Sequence, residues 1–562
     1  MLSSNRWVAQ RFQDVFRRGD DNSRIPIVPT FGNNDILPHN ILPAGPNKWL
    51  KAYGDIWRKF IPEEQRHGFE RGGWFYVEVV PGKLAVFSLN TLYFFAQNAA
   101  VDGCASRSEP GYEHMEWLRI QLQFMRERGM KAILMGHVAP ARTDSKQVWD
   151  DTCWQKYTLW LQQYRDVVVS GIYGHMNIDH FMFQDTKEVD LLIEGQSSTT
   201  GVIRATMEDE LTIESMNSYL KELRDEWSGL PNVADDDEEG TNSKGKKGKK
   251  GKKGKKGKKD KALRKIGGRW GERYQVTHVS PSVVPNFFPT LRIVHYNITG
   301  LDETASRAGT TSKLETSEQV NLLDNETDVY IGEEGDDNEY SEGIVGDTEE
   351  AMGKEKKKNG KKHKKPKHPD LTIPSPPSKN SPPGPAYSPQ TLTLLGYTQY
   401  FANLTVINNE SKKSEISAGV EGQDLTDKPS KPKPFKFEVE YDTFTDPVYK
   451  LKDMTVRSYI KLAHRIGQYK PLKENQIDEP SLVDFNKAEG SSDNEDLEVE
   501  NKKGKKHRKQ REKNKVWLEF IRRAYVGALS DDELQSFEQT SEQTSGAANG
   551  EGMVVDGHDR EL

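Results

Sequence analysis

Cysteine is nearly absent: the 562-residue chain has two, Cys104 and Cys153. That count excludes a disulfide-dense scaffold and any zinc module built on four thiolates. Taken alone, the two are either buried thiols or a single pair. Long apolar runs are missing as well. No stretch reaches the roughly 18 residues needed to span a bilayer. The start, Met1-Leu2-Ser3-Ser4-Asn5-Arg6-Trp7, does not read as a signal peptide. Apolar residues as a class are sparse, at 34% against 30% charged, which is below a usual globular share. The net charge of −6 excludes little, because acidic and basic blocks cancel.

The apolar deficit is uneven. Residues 1–230 are rich in Trp, Phe, Tyr and Leu and can bury one sizeable core. A length prior of three or four domains therefore overcounts. The run Asp235–Glu239 is followed by Gly-Lys-Lys repeats from Lys244 to Lys259. A period of three with no apolar residue cannot build a core, so 231–263 is expected to be disordered. The same is expected of 302–384 (acidic, then lysine-rich, then Pro/Ser-rich), 411–434, 471–515 and the tail 536–562. Ordered sequence is expected to resume at 264–301, across 385–470 outside the insertion, and in a helix within 516–535, as segments that pack back on the first 230 residues.

Within the apolar part the pattern is α/β. Helical spacing over 3–18 puts Trp7, Val8, Phe12, Val15 and Phe16 on one face. Trp49–Phe60 reads as a second helix. Glu113–Arg128 reads as an amphipathic one, with Trp117, Ile120, Leu122, Phe124 and Met125 as core contacts. Gly73–Val80 and Lys83–Asn90 flank Pro81-Gly82, a hairpin signal. Thr152–Tyr164, Val456–Ile466 and Val516–Leu529 read as helices. Phe181–Phe183, Val189–Ile193, Tyr274–Val279 and Leu291–Tyr296 read as strands.

Three strand ends carry the chemistry. The run Ile25–Phe31 reads as a buried strand and leads into Gly32-Asn33-Asn34-Asp35. Lys131–Met135 leads into Gly136-His137. Asp166–Tyr173 leads into Gly174-His175-Met176-Asn177. Polar residues just past the carboxyl ends of such strands sit where open α/β sheets bind ligands. An asparagine and two histidines, each directly after glycine, suit a centre for zinc, manganese or iron. A lone Gly-His is uninformative, and a lone Asn after a strand is more often a turn residue. The set of three is the signal.

The order Gly-Asn-x-Asp, Gly-His, Gly-His-x-Asn resembles the later half of the calcineurin-like metallophosphoesterase signature. Further blocks narrow the resemblance: Pro38-His39-Asn40, Pro81-Gly82-Lys83-Leu84-Ala85-Val86, Glu109-Pro110-Gly111-Tyr112, Asn177-Ile178-Asp179-His180-Phe181 and Pro281–Asn286. In this order they are similar to those of the fungal endopolyphosphatases, in the acid-sphingomyelinase-like branch. The resemblance spans roughly residues 1–225, 264–301, 385–410, 435–470 and 515–535. It implies a β-sandwich flanked by helices and two divalent metal cations that activate water toward an internal phosphoanhydride bond of inorganic polyphosphate. It implies Asn33, His137 and His175 as metal ligands, with Asn177 where most relatives have a second histidine. Asn34 stands where many relatives have a histidine general acid, and an amide cannot donate a proton in that way. His39 is the candidate to replace it, against its reading as a turn or packing histidine. Arg142 is the candidate to grip phosphate, against its reading as a surface arginine. A vacuolar, luminal enzyme with an amino-terminal membrane anchor is implied, which makes Cys104–Cys153 a disulfide and gives weight to the glycosylation sequons at Asn297, Asn325, Asn403 and Asn409.

The sequence departs from the family at its beginning. The Asp-x-His and Gly-Asp-x-x-Asp/Asn motifs, which bring the remaining ligands and the bridging carboxylate, are expected upstream of Trp7 and are not there; nor is the anchor. The chain thus reads as truncated at its amino end, and as written is expected to be inactive or poorly folded alone. Two other readings stay open. The lysine tracts attract polyanions, so a non-catalytic polyphosphate- or RNA-binding protein on a decayed phosphatase scaffold is one. A phosphodiesterase acting on sphingomyelin or nucleotides is the other; Asn34, Asn177 and Pro281–Asn286 favour polyphosphate.

Overall fold

Gly82 turns the chain with φ +66°, a conformation that suits glycine. It closes the hairpin of β1 (Phe75–Val80) and β2 (Leu84–Ser88). The computed structural model to which this hairpin belongs describes residues 1–16, 25–144, 146–189, 213–232, 265–267, 271–283, 287–301, 372–378, 380–407, 434–468 and 514–539. Contacts divide the chain into a body, Met1–Thr299 with Pro374–Leu562, and a second unit, Gly300–Ile373. Of the second unit only Gly300, Leu301, Thr372 and Ile373 are described. Every element below belongs to the body. The tracts 233–264, 302–371, 408–433, 469–513 and 540–562 lie outside the described residues, and with them the expectations of disorder placed there.

The hairpin continues into a six-stranded sheet through β3 (Lys131–Val138), β4 (Val168–Gly174), β5 (His180–Asp185) and β6 (Tyr274–Val279). Its order is β1-β2-β3-β4-β6-β5. The four central strands are parallel, and β1 and β5 are antiparallel edges. A second, antiparallel sheet joins β7 (Thr290–Tyr296), β8 (Leu394–Phe401) and β9 (Glu438–Asp442). Two sheets flanked by helices are what a metallophosphoesterase-like fold requires. The helices are α1 (Leu2–Phe16), α2 (Lys48–Ile56), α3 (Arg66–Gly72), α4 (Pro110–Glu127), α5 (Asp151–Gln163), α6 (Ile213–Ser228), α7 (Val456–Gly467), α8 (Lys515–Ala524) and α9 (Asp531–Gln539). Their starts are legible: Asn47 caps α2, Asp150 caps α5, Thr455 caps α7 and Asn514 caps α8, and Pro110 opens α4, where a missing N–H costs nothing.

Three expectations shift. Ile25–Phe31 is extended but joins no ladder among the described residues: Pro26 and Pro29 have no N–H to give. Side chains hold it instead, with Ser88 Oγ donating to Pro29 O at 2.7 Å and Thr30 Oγ1 to Leu89 O at 3.3 Å. Its end is buried, with Phe31 against Tyr53, Trp57 and Phe69. The α4 face is rotated: Tyr112, Met115, Leu118, Leu122 and Met125 are buried, while Ile120 and Phe124 are exposed. Trp117 sits at the border against Trp74 and Phe87. Of the α1 residues only Ala9 is buried, and Trp7 is 62% exposed. Of Val189–Ile193, Val189 is not in a strand and the rest lie outside the described residues.

Cys104 and Cys153 form a disulfide across a separation of 49 residues. It ties the loop before α4 to the first turn of α5. Gly111 allows this closeness, since a Cβ there would stand 2.8 Å from Cys104 Sγ. In the chain-entropy view, closing a loop of about 50 residues is worth about 4 kcal/mol. Replacing both cysteines by alanine is therefore expected to lower Tm by on the order of 10 °C in a calorimetric melt; an unchanged Tm would contradict this.

Candidate metal centre

The centre is assembled where β3 and β4 end. Their parallel register brings Val138 opposite Gly174. His137 thus stands next to His175, which follows β4 with φ 70°. Two glycines make room. A Cβ on Gly136 would lie 2.4 Å from Thr91 Cγ2, and one on Gly32 would lie 2.5 Å from the His137 ring.

Asn33 arrives from the third segment on a short 3-10 turn, Asn33–Asp35. The turn is closed by Gly32 N donating to Asp35 Oδ2 at 2.9 Å. Tyr53 OH donates to Asp35 O at 2.7 Å, and Asn5 Nδ2 of α1 donates to both Asp35 Oδ1 and Tyr53 OH. The Asn33 amide is oriented by Asn40: Asn33 Nδ2 donates to Asn40 Oδ1 at 2.9 Å, which leaves Oδ1 facing the histidines.

Three polar atoms converge. Asn33 Oδ1 lies 2.8 Å from His137 Nε2 and 3.3 Å from His175 Nδ1, and the two imidazole nitrogens are 3.3 Å apart. Burial lowers His137 to about 4, opposed by Asp35. Burial, then the neighbouring His137 and Lys146, lower His175 to about 3. Both rings are therefore neutral near pH 7, the form that ligates metal. Two of the three separations match the donor spacing of about 3.3 Å around an ion bound at roughly 2.0–2.1 Å; the third, 2.8 Å between Asn33 Oδ1 and His137 Nε2, is shorter. The residues thus fit a first-row divalent cation. Among the described residues no group of three or more His, Cys, Asp and Glu side chains could hold one; this set relies on an amide.

The other expected residues are less engaged. Asn177 is half-buried on the His175 loop, with φ 57°. No hydrogen bond joins it to the three among the described residues. Asn34 and His39 are exposed. Arg142 pairs with Asp151 at 2.8 Å and lies over Trp154. Asn297 and Asn403 are half-buried: Asn297 Nδ2 donates to Gln390 O, and Asn403 Oδ1 accepts from Val406 N. Asn325 and Asn409 lie outside the described residues. Sequence reasoning missed the orienting Asn40 and the buried Lys146. The Pro38-His39-Asn40 block pointed at the first, and nothing singled out the second.

No family model matches the chain. Curated proteins do. An endopolyphosphatase of Neurospora crassa is 46% identical over 96% of this chain and 80% of its own length. Endopolyphosphatases of Saccharomyces cerevisiae and Candida glabrata are 34% and 36% identical, over 85% and 84% of this chain and 71% of their own lengths. The chain belongs to the endopolyphosphatase family. Among the described residues of this family member, no helix is long and apolar enough to cross a membrane.

Burial gives this endopolyphosphatase-family chain an acid liability. It lowers His114, His175 and His278 to about 3, and His137 and His180 to about 4. An unfolded histidine takes its proton near pH 6.5. Below that pH the unfolded state binds more protons than the folded one, so stability is full above 6.5 and is lost as pH falls toward 4. Each ring contributes at most about 1.4 kcal/mol per pH unit. The metal-free Tm is expected to fall steeply from pH 6.5 to 4, and less steeply in His114→Phe, whose ring stacks between Trp74 and Phe94. A flat calorimetric profile would refute the assignment.

Proposed function

We propose that this chain carries out the metal-dependent endohydrolysis of long-chain inorganic polyphosphate; its relatives are named endopolyphosphatases. The observation that supports it most is the convergence of Asn33 Oδ1, His137 Nε2 and His175 Nδ1 within 3.3 Å. These residues would hold a divalent cation, with Asn177 two residues past His175 on the same loop. Such a cation supplies Lewis acidity toward a phosphoryl oxygen and lowers the pKa of water. The protein's part is positional: Asn40 orients the amide, Gly32 lets the loop close on His137, and burial keeps both rings neutral. The leaving group is itself a phosphate chain, which needs little protonation, so Asn34 is tolerated, and among the described residues of that loop His39 is the exposed candidate acid.

The three ligands are neutral. Among the described residues no carboxylate is hydrogen-bonded to them, so cation binding is expected to be weak and activity to need high metal concentrations. The Cys104–Cys153 disulfide supports an oxidising compartment, and the resemblance supports a vacuolar lumen. A second reading rests on the Gly-Lys-Lys array at 244–259: binding of polyanions without cleavage. Its mark is a steep salt dependence of polyphosphate binding that disappears on deleting 244–261.

The test is incubation of the purified chain with long polyphosphate and Mn²⁺ or Zn²⁺, with chain length followed on gels. Internal cleavage is expected, abolished by chelation and reduced roughly 100-fold or more in His175→Ala. Cleavage that survives both, or release of terminal phosphate only, would overturn the proposal.

A further inference from the structure

We infer that Lys146 is a substrate-binding residue of this centre, its ammonium group holding a non-bridging oxygen of the phosphoryl group presented beside His175. The inference rests on the phosphoanhydride-hydrolase reading above.

Lys146 lies at the tip of a small hairpin just after β3. Val148 N donates to Ala141 O, Arg142 bridges Gln147, and Thr143 N donates to Lys146 O at 2.8 Å. The hairpin base is pinned beside the centre. Ala96 N donates to Val148 O, Phe95 bridges Trp149, and the Phe95 ring stands edge-on to His175 at 5.1 Å. The base of the hairpin thus lies beside the centre, and its tip meets α6, whose Ser215 Oγ accepts from Lys146 Nζ at 3.2 Å.

The side chain is in an unusual position. Lys146 is only 7% exposed. An ammonium has three protons to donate, and burying it without an anion is costly. Among the described residues the hydroxyl of Ser215 is its partner, and no carboxylate pairs with it. Arg142, four residues earlier, is tied to Asp151 and laid over Trp154. Of the two cations on this hairpin, Lys146 is the one that pairs with no carboxylate among the described residues. That charge also reaches His175, where it disfavours the imidazolium. A compact ammonium suits a point contact with one phosphate oxygen, and polyphosphate offers a charged oxygen on every unit. Ser215 would steady the amine between contacts.

The experiment uses the full chain as wild type, Lys146→Gln, Lys146→Arg and His175→Ala. Mn²⁺ binding is titrated alone. Tripolyphosphate binding is then titrated at saturating Mn²⁺ and high salt, which suppresses the lysine tracts. Lys146→Gln is expected to lose tripolyphosphate affinity tenfold or more, with Lys146→Arg retaining most of it. Mn²⁺ affinity in Lys146→Gln should be equal or tighter, because a like charge has gone from beside the ligands. That split is not produced by a merely structural lysine. Unchanged tripolyphosphate affinity in Lys146→Gln, or parallel loss of both ligands, overturns the proposal. Failure of the underlying reading looks different: His175→Ala would then bind Mn²⁺ as wild type does, and the Lys146 assignment falls with it.

Discussion

Parallel hydrogen bonding between β3 and β4 holds His137 and His175 on one rim with ring centroids 5.2 Å apart. Strand side chains alternate, so a slip of one residue would send His137 to the opposite face of the sheet. The centre therefore depends on a register that the core itself enforces, through the buried alternate residues of β3. Asn33 is less constrained by the sheet. It is held by a turn, a tyrosine hydroxyl and the amide of Asn5, so its precision comes from hydrogen bonds rather than from ladder geometry. The burial that keeps the two imidazoles unprotonated is the same burial that makes the fold sensitive to acid.

The far side of the His175 loop explains why the late segments matter to the site. Four residues on, Asp179 N donates to Ala524 O at 2.9 Å, and the Asp179 carboxylate takes Arg292 of β7 at 2.6 Å and Tyr441 of β9 at 2.5 Å. Arg523 of α8 pairs in turn with Asp446. The second sheet and α8 thus brace the His175 loop from behind. A buried ion pair of this kind contributes little net stability against apolar packing, but losing one partner leaves the other charge stranded. Its role here is to fix where the loop sits.

Most of this was legible in the sequence. The strand-Gly pattern picked out Asn33, His137 and His175, which the fold brings within 3.3 Å of one another, because the three occur together; none of them is informative alone. The hairpin at Pro81-Gly82, strand β6, strand β7 and helix α7 followed from period and turn chemistry. What was not legible has definite causes. The prolines of Ile25–Phe31 leave the apolar pattern of a strand while removing its donors. On α4 the aromatic Trp117 drew the apolar stripe about one residue out of phase. Lys146 carries no local signature at all: the partner of its ammonium, Ser215, lies far along the chain on α6.

Strands β7 and β8 pair along their whole length, Thr290 opposite Phe401 and Tyr296 opposite Leu394, although a long stretch of chain separates them. Closing a longer loop adds only about 0.6 kcal/mol per doubling, so the length of that stretch hardly bears on the body. Covalent continuity between the two strands is correspondingly dispensable once the body has formed. A chain severed between Gly300 and Ile373 would still travel as one particle in native buffer, its two pieces parting only when denaturant dissolves the sheet.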